Sequence, residues 1–128
     1  MILDFNATTF EMVRGDTFTL PLKLNSGTRM HYEQYKLQGN DVLYVGIMLP
    51  GQSFENSIIR CALDKNSPRD ANGDTIFKLE SSHTEKLFPG KYYISIKLLK
   101  DGEVKTLLND TIFFITGSKP ELSIPGCK

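Results

Sequence analysis

The sequence predicts an all-β fold, a two-layer sandwich of about seven short strands, and three observations carry that prediction. The first is the run from Gly90 to Lys100, which sets Tyr92, Ile94, Ile96 and Leu98 on one face against Tyr93, Ser95, Lys97 and Leu99 on the other. That period of two belongs to a strand with one face buried. The second is Asp101-Gly102, a two-residue hairpin signal between this run and the β-branched and aromatic stretch Glu103 to Thr116. The third is the even spacing of turn signals along a chain with one helix-like segment.

Taken in order, residues Thr8 to Val13 form a short strand, and Arg14-Gly15-Asp16 turns the chain into a second, Thr17 to Leu24. Phe18, Leu20, Leu22 and Leu24 share the inner face of the second strand. Pro21 has no N–H for a ladder, so this strand lies at a sheet edge or bulges there. Residues Asn25 to Asn40 show no period, which makes them a binding or packing loop or the site of a short helical turn. Asp41 to Leu49 alternates again, with Leu43, Val45, Ile47 and Leu49 inward and Tyr44, Gly46 and Met48 outward, and Pro50-Gly51 stops it.

Ser57 to Leu63 follows, with Ile59, Cys61 and Leu63 inward and Ile58 and Arg60 outward. After the polar stretch Asp64 to Asp74, Thr75, Phe77 and Leu79 begin another inner face. Ser81 to Leu87 is helix-like, its serines in capping position and Leu87 directed under the sheets, and Pro89 ends it. The last strand, through Leu107, Leu108 and Ile112 to Ile115, is apolar on both faces. Such a strand is central in the core or covered by a neighbouring subunit.

A chain of 128 residues fits one domain with a real core, and its 40% hydrophobic content is ordinary. Fifteen Lys plus Arg balance fifteen Asp plus Glu, which removes the electrostatic case for nucleic acid or an anionic membrane. The expected partner is another protein or a neutral ligand. The N-terminus lacks the features of a secretory signal, no apolar run suits a membrane helix, and Cys61 and Cys127 are expected as free thiols.

No catalytic or metal constellation stands out. His31 and His83 lie in separate polar segments without zinc spacing, and no serine sits in a nucleophile elbow. Asp70, Asn72 and Asp74 around Gly73 suit a tight turn better than a calcium loop, and Arg14-Gly15-Asp16 suits a turn better than an adhesion motif. Catalytic residues, cofactors and metals are therefore expected to be none. Tyr32, Tyr35 and Tyr44, with Met30 and Met48, compose a candidate aromatic surface for a protein interface or for stacking on a sugar.

Several stretches together resemble a known group: Phe10 to Leu20 with its Arg-Gly-Asp-Thr turn, Asp41 to Tyr44, Leu79 to Thr84, Leu87-Phe88-Pro89-Gly90-Lys91-Tyr92-Tyr93, and the Asp101-Gly102 hairpin. They are similar to the immunoglobulin-like N-terminal domains of tailed-bacteriophage upper baseplate proteins and to related fibre-anchoring proteins. The resemblance covers roughly residues 8 to 116. It implies an immunoglobulin-like antiparallel β-sandwich of about seven strands at 8–116, between an N-terminal arm at 1–7 and a C-terminal tail at 117–128.

It further implies a non-enzymatic virion component that binds other virion proteins in a baseplate, tail, head fibre or capsid. A homo-oligomer within a symmetric assembly is expected, without nucleic acid or membrane. The alternative is a carbohydrate-binding adhesion module directed at a host surface glycan. The interface residues expected on this reading are Met30, Tyr32, Tyr35, Tyr44, Leu122 and Ile124.

Overall fold

A computed structural model describes residues 2–3, 9–28 and 31–117, excluding the side chains of residues 2, 28, 31 and 32. Ten strands occur among the described residues. They are β1 (Ile2–Leu3), β2 (Thr9–Val13), β3 (Phe18–Leu22), β4 (Leu24–Thr28), β5 (His31–Gln34), β6 (Val42–Met48), β7 (Ile59–Leu63), β8 (Thr75–Leu79), β9 (Gly90–Lys100) and β10 (Glu103–Thr116). The single α-helix, α1, spans Ser81–Thr84, and a 3-10 turn occupies Phe54–Asn56. The fold is all-β.

The main sheet has five strands in the order β2-β10-β9-β6-β7. It curls into a half-barrel. Register shifts in the β9–β10 ladder at Thr106/Leu108 and Leu108/Thr111, and a positive φ of 41° at Asp110, supply local bends of the kind that bulges impose. Two smaller sheets, β1-β4-β5 and β3-β8, complete the molecule. Side chains from all of them meet in one apolar cluster, in which Leu22, Leu24, Phe77, Ile94, Ile96 and Phe113 are almost wholly buried.

The hairpin expected at Asp101-Gly102 is present, with Lys100 paired to Glu103 and positive φ at both turn residues. Tyr92, Ile94, Ile96 and Leu98 are buried, as the alternation required, but Ser95 on the opposite face is buried too, its hydroxyl oxygen accepting the Asp110 N–H at 2.8 Å. Pro21 sits on β3, which pairs with β8 alone, so the edge alternative holds. The doubly apolar last strand is central, flanked by β9 and β2.

Six expectations need correction. The sheets are not wholly antiparallel, because β2 runs parallel to β10, from Thr9↔Ile112 to Val13↔Thr116. The strands exceed seven because the inner-face run through Leu24 is two elements with different partners. β3 pairs with β8, whereas β4 pairs with β1 and β5. Residues 25–40 are therefore not simply a loop or a helical turn: Asn25 to Thr28 extend β4 and His31–Gln34 return as β5. This hairpin is polar in sequence, so its strands carry no alternation to reveal them.

The inner and outer assignments on β6 also change at one end. Leu49 is exposed, whereas Gly46 and Met48, expected outward, are buried, Gly46 because Phe54 and Ser57 lie over it. At α1 the N-cap is Glu80, not a serine. The Glu80 N–H donates to His83 Nδ1 at 2.8 Å, and Thr84 is the residue buried, with Leu87 partly so. Ile2–Leu3, within the expected arm, pairs with β4, and Leu3 packs against the core. Residues 118–128 lie outside the described ones.

Candidate functional site

The outer face of the five-stranded sheet carries an open groove of about 610 Å³. Ladder register builds its floor. Tyr44 on β6 stands between Ala62 on β7 and Lys97 on β9, and one row along, Gly46 stands between Arg60 and Ser95. Val104 closes the β10 side.

The wall is the segment after β6. A Cβ on Gly46 would lie 2.5 Å from Ser57 Oγ and 2.7 Å from the Phe54 ring, so only glycine lets the 3-10 turn lie flat on the sheet. The Phe54 ring in turn receives the Lys97 ammonium, 4.6 Å from its centroid.

The charge in the groove is uneven. Arg60 and Lys97 face a single carboxylate, Glu55. Glu55 is held below the usual carboxylate range by its own backbone N–H, then by Ser53, with Lys97 and Arg60 adding to the effect. Among the described residues Arg60 makes no ion pair. The Cys61 thiol at the groove is pushed up by burial, which favours the unreactive protonated form. Two rings and two cations against one carboxylate suit an anionic or amphipathic group. Among the described residues no three His, Cys, Asp or Glu side chains gather as metal ligands would.

The Arg14-Gly15-Asp16 turn is locked at one end of the molecule. The buried Gly15 N–H donates to Thr84 Oγ1 at 2.9 Å, Arg14 Nη1 donates to Leu87 O at 3.0 Å, and Tyr92 Oη donates to Phe88 O at 2.6 Å. The turn is internal joinery. Phe88, with the carbonyls of Leu87 and Phe88 both held, stands 84% exposed. Asp70 Oδ1 accepts the N–H groups of Asn72 and Asp74, each at 2.9 Å, which is the tight turn expected there.

The expected tyrosine surface is only partly assembled. Tyr44 is exposed at the groove. Tyr35 is not available for stacking: it packs partly against the core, donates its hydroxyl to Asp41 Oδ2, and accepts from Lys100 Nζ at 3.1 Å. Met48 is buried. Tyr32 pairs with Gly27 through its backbone. The Tyr32 side chain, Met30, Leu122 and Ile124 lie outside the described residues.

Sequence reasoning missed Phe54, Arg60, Lys97 and Val104. One signal was available, since an isolated glycine inside an apolar strand marks close approach by another group. No family model matches the chain, and no curated protein or solved structure matches it either.

Proposed function

We propose that this chain is a non-enzymatic structural component of a bacteriophage virion, an immunoglobulin-like domain that joins neighbouring proteins. The observation that carries the proposal is the convergence of three of the five stretches that resemble baseplate domains. Arg14-Gly15, Thr84, Leu87-Phe88 and Tyr92 lie far apart in sequence and are tied by three hydrogen bonds at one end of the fold. Their co-occurrence thus has a single physical cause, the locking of that end.

Strand order supports the immunoglobulin-like part of the reading. On this reading β2-β10-β9-β6-β7 and β3-β8 would take the places of the A′GFCC′ and BE strands of a variable-type sandwich, with β2 parallel to β10 in the place of A′ beside G, and β1-β4-β5 would be an addition to it. Tyr92 near the start of β9, bonded to the carbonyl of Phe88, has the geometry of the tyrosine corner of that fold. The large wet face with its groove, and Phe88 held in solvent, offer surfaces for assembly.

The test is direct: particles of the encoding phage are purified on a density gradient and their proteins identified by mass spectrometry. The chain is expected at a fixed, symmetric copy number per particle. Its absence from infectious particles, despite expression during infection, overturns the reading.

A further inference from the structure

The strand β7 has a free edge. It pairs with β6 on one side and ends the main sheet, so its second row of N–H and C=O groups has no strand beside it among the described residues. Across from it, β8 pairs only with β3 and is met at its start alone by Pro68-Arg69. Between the two edges lies a cleft of about 440 Å³, lined by Ile59, Arg60 and Cys61 from β7, by Phe77, Lys78 and Leu79 from β8, and at one end by Ser82 and His83 of α1. Any strand added to β7 would lay alternate side chains into this cleft and the others beside Arg60 and Ala62 on the wet face.

We propose that the edge of β7 receives residues 121–124 from a second copy of this chain. The sequence Glu121-Leu122-Ser123-Ile124 has the required period: Leu122 and Ile124 on one face for the apolar part of the cleft at Ile59 and Cys61, Glu121 and Ser123 on the other. In either strand direction Glu121 comes opposite or diagonal to Arg60, the cation without an ion-pair partner among the described residues. Pro120 and Pro125 bracket the four residues and limit pairing to a length that the five-residue β7 can match.

Reach makes the donor a neighbour. A strand beside β7 lies four inter-strand spacings from β10, and Arg60 sits some five residues along from the row of Gly90, next to which β10 ends. The two offsets give a separation of ~25 Å along the sheet. Five residue steps from Thr116 to Glu121 span at most ~18 Å. The tail of the same copy therefore falls short of its own edge, and head-to-tail donation links successive subunits, a heterologous contact that closes into a ring or extends as a chain. The inference deepens the assembly role proposed above and takes its biological setting from it.

The experiment uses the full chain. Sedimentation equilibrium from micromolar to millimolar concentration is combined with amide hydrogen exchange across Ile59–Leu63. Mass is expected to rise with concentration while the β7 amides slow at least tenfold. The double variant Leu122→Asp/Ile124→Asp is expected to stay monomeric with an unchanged melting temperature. Arg60→Glu is expected to weaken association at least tenfold, and adding Glu121→Arg to restore it.

A wild-type chain monomeric throughout the range, or association that survives the double variant, overturns the proposal. So does association with β7 amides still exchanging freely. A chain present in virions but monomeric in solution removes tail donation and leaves the virion reading standing. A chain that associates as described yet is missing from virions does the reverse.

Discussion

At the scale of single residues, two side-chain choices carry more than their size suggests. Thr84 is wholly buried and its hydroxyl oxygen is the acceptor for the Gly15 N–H. Thr84→Val keeps the volume and removes the acceptor, leaving a buried donor unsatisfied, so a loss of about 1–3 kcal/mol is expected in urea unfolding. Thr84→Ser should retain most of the stability, which separates the hydrogen bond from the packing. Gly46 is the second case: an added methyl would meet Ser57 and Phe54 inside van der Waals distance. Gly46→Ala is expected to lift the Phe54 turn and cost about 1–3 kcal/mol, and nuclear magnetic resonance should show the Lys97 side chain losing the ring-current shift of Phe54. Gly46 could be noticed in sequence as a glycine inside a strand, but not the identity of what lay on it. Thr84 lies in a stretch that carries the resemblance, but its role as acceptor was not legible, because its partner is sixty-nine residues away.

At the scale of elements, the pairing of β9 with β10 and the turn between them were legible because their causes are local, whereas the register shifts at Thr106/Leu108 and Leu108/Thr111 were not. Alternation fixes which face is buried, and Asp101-Gly102 supplies two residues that tolerate positive φ, here 53° and 78°. Gly102→Val places a β-branched residue in that left-handed conformation and should cost upwards of about 1 kcal/mol, read as a lower denaturant midpoint with an unchanged slope. The polar β4–β5 hairpin illustrates the opposite case. Asn25 to Thr28 and His31–Gln34 lack the apolar period of a strand, and they become strands because β4 lies in the middle of its sheet and pairs with β1 on one side and β5 on the other. Propensity is overridden there by the neighbours that the fold supplies.

At the scale of the whole molecule, the ends of β5, β6 and β9 are tied together by Tyr35, Asp41 and Lys100, with the ammonium also 5.1 Å from the Tyr35 ring centroid. Burial, then the Asp41 hydrogen bond, push the Tyr35 hydroxyl above its ordinary value of 10.0, with Lys100 acting in the opposite sense. The hydrogen bond to Tyr35 raises the Lys100 ammonium above 10.5. Both groups hold protons more tightly when folded, so the stability they add is complete below about pH 10 and is lost as pH rises through their raised values. Melting temperature is therefore expected to fall above about pH 10, and Tyr35→Phe to flatten that fall while lowering stability at neutral pH. A wild-type profile that stays level from pH 9 to pH 11.5 would contradict the linkage. Sequence by itself determined the all-β class, the buried faces of β3, β8 and β9, and the turns at Gly15, Gly73 and Gly102, because each follows from a period or a backbone preference within a few residues. Tertiary structure alone decided that β2 lies parallel to β10, that Phe54 roofs Gly46, that Tyr35 is tied to Lys100, and that β7 keeps an open edge. A period of two says that a face is buried; only the closing of the sheets on one core says against what.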